Sequence, residues 1–250
     1  METQRLLDCL AADFIRLRDT AAKDLAAPVP SCPDWTVTDL VRHVAMVYLH
    51  KVEAMRQGAH PADWPPDLSA EEPIALLDRT YAALVGEFAT RAPEDPTWTW
   101  YPPDQTVGFW IRRMAQETVI HRVDAELALG EGSSSIPDDL AVDGVDEVLT
   151  AFVAHGSREW HQYFAEALDD WGDRWLSVDA NGAAWRVAVH PDGVTVTVGP
   201  TGSGAAATIR GEPVPLLLSF WNRGGTGEVV ESGDAGMVEN LRRLLTIATQ

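Results

Sequence analysis

The chain has 250 residues, enough for one large domain or two modest ones, and 46% apolar with 23% charged residues is the balance of a globular protein. Asp and Glu number 38 against 19 Lys and Arg, a formal charge of −19, and a surface of that sign repels phosphate backbones and anionic lipid. Nucleic-acid and membrane partners are therefore not expected. The start Met1–Arg5, followed by Asp8 and Asp13, does not read as a signal peptide, and no run of 18 apolar residues suggests a transmembrane helix. Two cysteines, Cys9 and Cys32, cannot staple a chain of this size, so a reducing cytoplasm is the expected setting, with Cys9 a small core residue.

Residues 4–25 carry Leu6, Leu10, Phe14, Leu17, Ala21 and Leu25 at helical spacing. Pro28, Pro30 and Pro33 then break the chain. Thr36 and Asp39 form a capping-box pattern, with Trp35 and Leu40 as its hydrophobic staple, and open a helix that stops near Gly58. A loop with Pro and Trp covers 59–68. A third helix is predicted after Ser69 and Glu72, with Pro73 leaving its start uncertain by a turn, and it carries Ile74, Leu77, Tyr81, Leu84 and Phe88. After a proline-rich loop over 91–106, a fourth helix runs from about 107 to 129 and stops at Gly130. The acidic stretch 137–168 reads as one or two further helices.

The pattern changes after Trp171-Gly172-Asp173. Trp185, Val187 and Val189 alternate with polar or small residues, as do Val194, Val196 and Val198, and His190-Pro191-Asp192-Gly193 between them reads as the turn of a β-hairpin. Ala207–Ile209 and Glu228–Glu231 are predicted strands, Leu216–Trp221 a short helix and Gly236–Ala248 a last helix. The expected class is α+β in two domains, a helical domain over 1–168 and a small α+β domain over 169–250.

The fourth helix places charge on its inward stripe. Trp110, Met114, Glu117, His121, Asp124 and Ala128 step by four and three and share one face. A Glu and a His on a buried face are costly unless paired or bound to metal. At i and i+4 they can converge on one ion if another helix supplies a third donor, and His43 on the inward stripe of the second helix is the candidate. Two His and one carboxylate suit Zn²⁺ or another first-row divalent ion with a position left open. Spacing alone also allows an ordinary salt bridge. His50, His60, His155, His161 and His190 read as surface or packing residues.

The same residues lie in segments that resemble a known family. Ser31-Cys32-Pro33-Asp34-Trp35-Thr36-Val37-Thr38-Asp39-Leu40-Val41-Arg42-His43 is similar to the CPxWTVxDLxxH segment of the mycothiol-dependent maleylpyruvate isomerase family of actinobacteria. Glu117-Thr118-Val119-Ile120-His121-Arg122-Val123-Asp124-Ala125 resembles its ExxxHRxDA helix. Thr208-Ile209-Arg210-Gly211, then Leu216-Leu217-Leu218-Ser219-Phe220-Trp221-Asn222-Arg223, resembles its C-terminal Leu-rich stretch. The resemblance implies a DinB-like four-helix bundle followed by a small domain akin to sterol-carrier proteins. It implies a metal on His43, Glu117 and His121, and a substrate-reaching Arg at Arg223. One departure is Asn222, where the family commonly has Gly, a change expected to alter the turn and the reach of the guanidinium.

The function so implied is that of a metal-dependent thiol enzyme. A metal-bound thiolate, with mycothiol as thiol cosubstrate, adds to a small electrophile and gives isomerisation or S-transfer. Asp124, one turn beyond His121, is expected to orient a ligand or a water, or else to pair with Arg122 or Arg42; Arg223 is expected to clamp a substrate carboxylate. The expected partners are the electrophile and a low-molecular-weight thiol, with a monomer or homodimer as the assembly. Two readings from other classes remain: a DinB-type metalloprotein that uses no thiol, such as a hydrolase, and a non-catalytic small-molecule carrier.

Overall fold

Four long helices follow from the cap signals. The computed structural model describes residues 1–132, 135–224 and 227–249. Helix α1 (Thr3–Ala21) ends a turn earlier than its apolar spacing predicts, because the Asp24 side chain accepts the Ala26 amide at 3.0 Å and turns the chain into a loop. Helix α2 (Val37–Gln57) begins on the predicted capping box. Thr36 accepts from the Asp39 amide, the Asp39 carboxylate accepts from the Thr36 amide at 2.8 Å, and Gly58 closes the helix in the left-handed conformation. Helix α3 (Pro73–Thr90) starts at the proline itself, with Glu72 as its cap accepting from the Ala75 amide. Helix α4 (Val107–Ala128) is capped by Thr106.

These helices form the unit Met1–Ser135. Its core takes in residues of the stripes read from sequence, with Leu10, Leu17, Leu40, Leu77, Leu84 and Met114 almost fully buried, and on α2 it is Val44 rather than Val47 that is buried. Phe14 stacks on Tyr81, and the buried Tyr48 hydroxyl meets the Thr118 hydroxyl at 2.6 Å. Cys9 is buried, as its place on the apolar face of α1 requires.

Helix α4 departs from the one-stripe reading. From Val107 to Glu126 every residue but Gly108 and Arg112 is buried, so this is a central helix rather than a surface helix with one apolar face. Its charges survive burial because they are paired. Arg122 reaches Asp13 on α1 at 3.1 Å and Glu126 one turn on at 2.7 Å. Arg113 reaches Glu117 at 2.5 Å.

The second unit is Ile136–Gln250, so the division falls between Ser135 and Ile136 rather than at the expected 168/169. Helix α5 (Asp138–Glu147) runs on through a π-helical stretch, Val148–His155, into the short helices α6 (Gly156–Glu159) and α7 (His161–Phe164). These pack within the second unit: the Trp185 indole donates to Asp146 at 2.8 Å, and Arg158 reaches the Val194 carbonyl and Thr195. Apolar periodicity marks 137–168 as helical but does not say which core its apolar face will cover.

The sheet contains strands β1 (Leu176–Ala180), β2 (Ala183–His190), β3 (Gly193–Val198), β4 (Ala207–Gly211) and β5 (Val229–Gly233), ordered β3-β2-β1-β4-β5. The β2–β3 hairpin has the predicted turn, with Trp185 opposite Val198 and His190 opposite Gly193. The central strand β1 was not predicted. It pairs antiparallel with β2 and parallel with β4, and its short Leu-Ser-Val-Asp-Ala pattern is too brief to stand out alone. Helices α8 (Pro213–Phe220) and α9 (Ala235–Ala248) complete the unit. The class is α+β, as expected. Among the described residues, no helix is long and apolar enough to cross a membrane.

Candidate metal centre

Two helices supply the donors. The α2 stripe brings the His43 ring to 5.0 Å from the His121 ring, centroid to centroid, and α4 places Glu117 one turn before His121. Both His43 Nε2 and His121 Nε2 lie 3.2 Å from the same atom, Glu117 Oε1. His43, Glu117 and His121 thus present three ligating atoms that all lie within 4.8 Å of one another. Side-chain exposure is 38% for His43 against 11% for Glu117 and for His121, so the cluster opens on the His43 side.

The surroundings fix these groups. Arg113 holds the second Glu117 oxygen, leaving Oε1 to the two imidazoles. His121 Nδ1 meets Asp124 Oδ2 at 2.9 Å, which leaves Nε2 for the cluster. Asp124 is fully buried and accepts from the Ser31 hydroxyl at 2.5 Å, with Cys32 Sγ at 3.9 Å from its other oxygen. Ser31 is positioned by a compact loop in which the Val29 amide donates to the Trp35 carbonyl and the Trp35 amide to the Cys32 carbonyl. Trp35 closes another side, its ring 5.0 Å from that of His43.

Charge in this cluster is arranged around a cation. Burial alone would raise the Glu117 carboxyl, but His121 and Arg113 outweigh it and hold its pKa well below the usual range. Burial would likewise lower His121; Glu117 and Asp124 outweigh it and raise the imidazole to about 9. The protein without metal therefore keeps a proton on His121 at neutral pH, between two carboxylates. Two imidazole nitrogens and one carboxylate oxygen are a donor set that suits a divalent first-row ion. The residues present fit such an ion.

Of the residues singled out from sequence, His43, Glu117, His121 and Asp124 come together here. Asp124 contacts His121 Nδ1, Arg122 contacts Asp13 and Glu126, and Arg42 donates to the carbonyls of Leu68, Ser69 and Glu71. Arg223 lies in the second unit. It is 7% exposed, donates from Nη1 to the Trp221 carbonyl at 2.6 Å, and lines a cavity of about 370 Å³ with Ser219, Asn222 and Arg242. Asn222 adopts φ +56°, the left-handed region that Gly enters freely and Asn tolerates, so the departure from Gly does not force a different turn. Sequence reasoning missed Arg113, although it lies four residues before Glu117 on the same helix face. It also missed Ser31, and read Trp35 as a staple only. His50 and His60 take the packing half of their surface-or-packing reading: their rings lie 5.3 Å apart beside Trp64 and Trp98.

Comparison with known proteins bears on the fold. Residues 7–126 match the family model described as the mycothiol maleylpyruvate isomerase N-terminal domain. A crystal structure of the mycothiol-dependent maleylpyruvate isomerase is 15% identical, covering 94% of this chain and 95% of that chain with a TM-score of 0.58. A crystal structure of a histidine-to-alanine mutant of that enzyme is 14% identical, with the same coverage and a TM-score of 0.56. At such identities the likeness shows a shared fold. No curated protein matches the sequence. Residues 7–126 of the N-terminal unit are thus similar to a mycothiol maleylpyruvate isomerase N-terminal domain, over a little under half of the chain.

Proposed function

We propose that this protein is a metal-dependent thiol enzyme, in which a thiol of the mycothiol type adds to a small electrophile and gives isomerisation or S-transfer. The observation that carries this reading is the convergence of His43 and His121 on one oxygen of Glu117, inside a unit that matches the family. In this reading His43, Glu117 and His121 hold the ion, with Zn²⁺ favoured by the donor set. A divalent ion bound there supplies a partner for the thiol sulfur and lowers its pKa, so that thiolate is present at neutral pH.

The chain's own residues keep the site in shape. Asp124, held by Ser31, fixes the His121 ring, and Arg113 fixes Glu117. For Arg223, the proposed role is to hold a substrate carboxylate, for which a guanidinium offers a bidentate match. The chemistry begins when the thiolate sulfur bonds to an unsaturated carbon and the double-bond electrons move toward a conjugated carbonyl. Rotation about the new single bond, then cleavage of the C–S bond, returns the thiolate and the isomerised alkene. Protonation before cleavage leaves the S-conjugate instead. Both outcomes share the first step.

The test is consumption of a panel of unsaturated acids and epoxides by metal-loaded protein, with mycothiol or another low-molecular-weight thiol present or omitted and products identified by mass. The reading predicts turnover only with thiol, and an isomer or S-conjugate as product. Turnover without any thiol, or hydrolysis products, would replace it with a hydrolase of the same bundle.

A further inference from the structure

The helices that hold the metal cluster carry a second charged group farther along the same seam. Lys51 lies eight residues beyond His43 on α2, and Trp110 lies seven residues before Glu117 on α4, so both stand roughly 10–12 Å of helix rise from the cluster. They meet: Lys51 Nζ sits 4.8 Å from the Trp110 ring centroid, and it donates to His50 Nδ1 at 3.3 Å. Trp64 and Trp98 stand around His50, with ring centroids 4.9 and 6.2 Å away. A half-buried ammonium is thus set among rings.

Among the described residues Lys51 makes no ion pair, although acids outnumber bases two to one in this chain. Burial is the largest influence on Lys51; it outweighs the attraction of Glu117, and with Arg113 opposing as well the amine is drawn down to about 8. His50 is held neutral by burial and by the neighbouring Lys51 and His60, with a pKa of about 3, so it accepts from the ammonium without cancelling its charge. A cation with aromatic walls, a neutral acceptor on one side and no carboxylate of its own is suited to take a carboxylate from outside.

We propose that Lys51 forms an anion subsite for the substrate, holding one carboxylate of an acidic electrophile whose reactive carbon lies toward the His43–Glu117–His121 cluster. The identity of that ligand rests on the thiol-enzyme reading above; the anion site itself does not.

The probe is succinate, a dicarboxylate that is no electrophile, titrated calorimetrically into the metal-loaded full-length protein. Wild type should bind it, Lys51→Gln should bind at least tenfold more weakly with unchanged metal content, and Lys51→Arg should restore binding because it keeps the charge. Lys51→Met, which keeps an aliphatic stem over Trp110, should behave like Lys51→Gln and guards against a folding defect. In turnover assays, Lys51→Gln should raise KM for an acidic electrophile at least tenfold, with kcat changed less and a neutral electrophile unaffected. Equal succinate affinity in wild type and Lys51→Gln, or no binding to wild type, would overturn the subsite. Lys51-dependent succinate binding without any thiol-dependent turnover would leave the subsite standing and remove the enzyme reading alone.

Discussion

At the residue scale, the proposed metal site is a set of charges that satisfy one another without an ion, and a bound ion would displace a proton. His121 is the pivot. Its pKa, raised to about 9 by Glu117 and Asp124 against burial, means that metal binding displaces a proton at any pH below that value. Apparent metal affinity should therefore rise by about tenfold per pH unit between pH 7 and 9 and flatten above, measured by competition with a chelator of known pH dependence. For stability the sign is the reverse. A folded pKa above the unfolded value of 6.5 contributes stability to the metal-free protein that is complete below pH 6.5 and lost as pH rises through about 9. Melting the metal-free protein across that window should show the loss, and the loss should shrink in His121→Ala. Asp124 acts through His121. Asp124→Ala should weaken metal binding by roughly 10–100-fold, the usual effect of removing the partner that orients a ligating histidine, and Ser31→Ala should do so less. Trp35→Ala should weaken metal binding as well, since its ring packs on that of His43.

At the scale of elements, the sequence was most legible where local chemistry decides the conformation. The Thr36–Asp39 box, the Gly58 stop and the His190–Gly193 turn are each set by residues close in sequence, and the structure has each of them, whereas the start of α3, left open by a turn, is fixed by Glu72 as cap rather than by Ser69. Thr36→Ala should cost about 1 kcal/mol in chemical denaturation, through loss of the α2 cap. The cluster proposed to hold the ion was legible for a related reason: Glu117 and His121 are neighbours on one helix, and the structure brings His43 of the second helix to them. What the sequence left out depends on packing at a distance. The buried circumference of α4 was not visible, because Arg113, Arg122 and Glu126 read as a polar face until their partners are seen. Asp13, Arg122 and Glu126 form a buried network whose members are far apart in sequence or hidden within it. Arg122→Leu should destabilise the fold by about 3–5 kcal/mol, since it strands two buried carboxylates. A loss under 1 kcal/mol would show that the network relaxes into water. The pairing of Lys51 with Trp110 was equally invisible, because it joins the far ends of two helices.

At the scale of the whole molecule, a helical unit holds the proposed metal donors and a separate α+β unit holds Arg223. The sequence located the change from helical to alternating pattern near 168–176, and that change is real. It does not mark where one core ends, because α5 and the helices after it pack against the sheet, as the Trp185–Asp146 bond illustrates. Arg223→Ala should leave metal content unchanged and lower turnover of carboxylate substrates by roughly tenfold or more, if a charge-assisted hydrogen bond of about 1.5–3 kcal/mol is lost. Arg223→Lys should not fully rescue it. Unchanged turnover would confine Arg223 to its contacts with Trp221 and its own cavity. The central claim, however, is the metal centre, and elemental analysis of the purified full-length protein tests it most directly. The account predicts close to one divalent ion per chain in wild type and loss of most of it in both His43→Ala and His121→Ala, each folded by circular dichroism. Full metal content in both variants would contradict it.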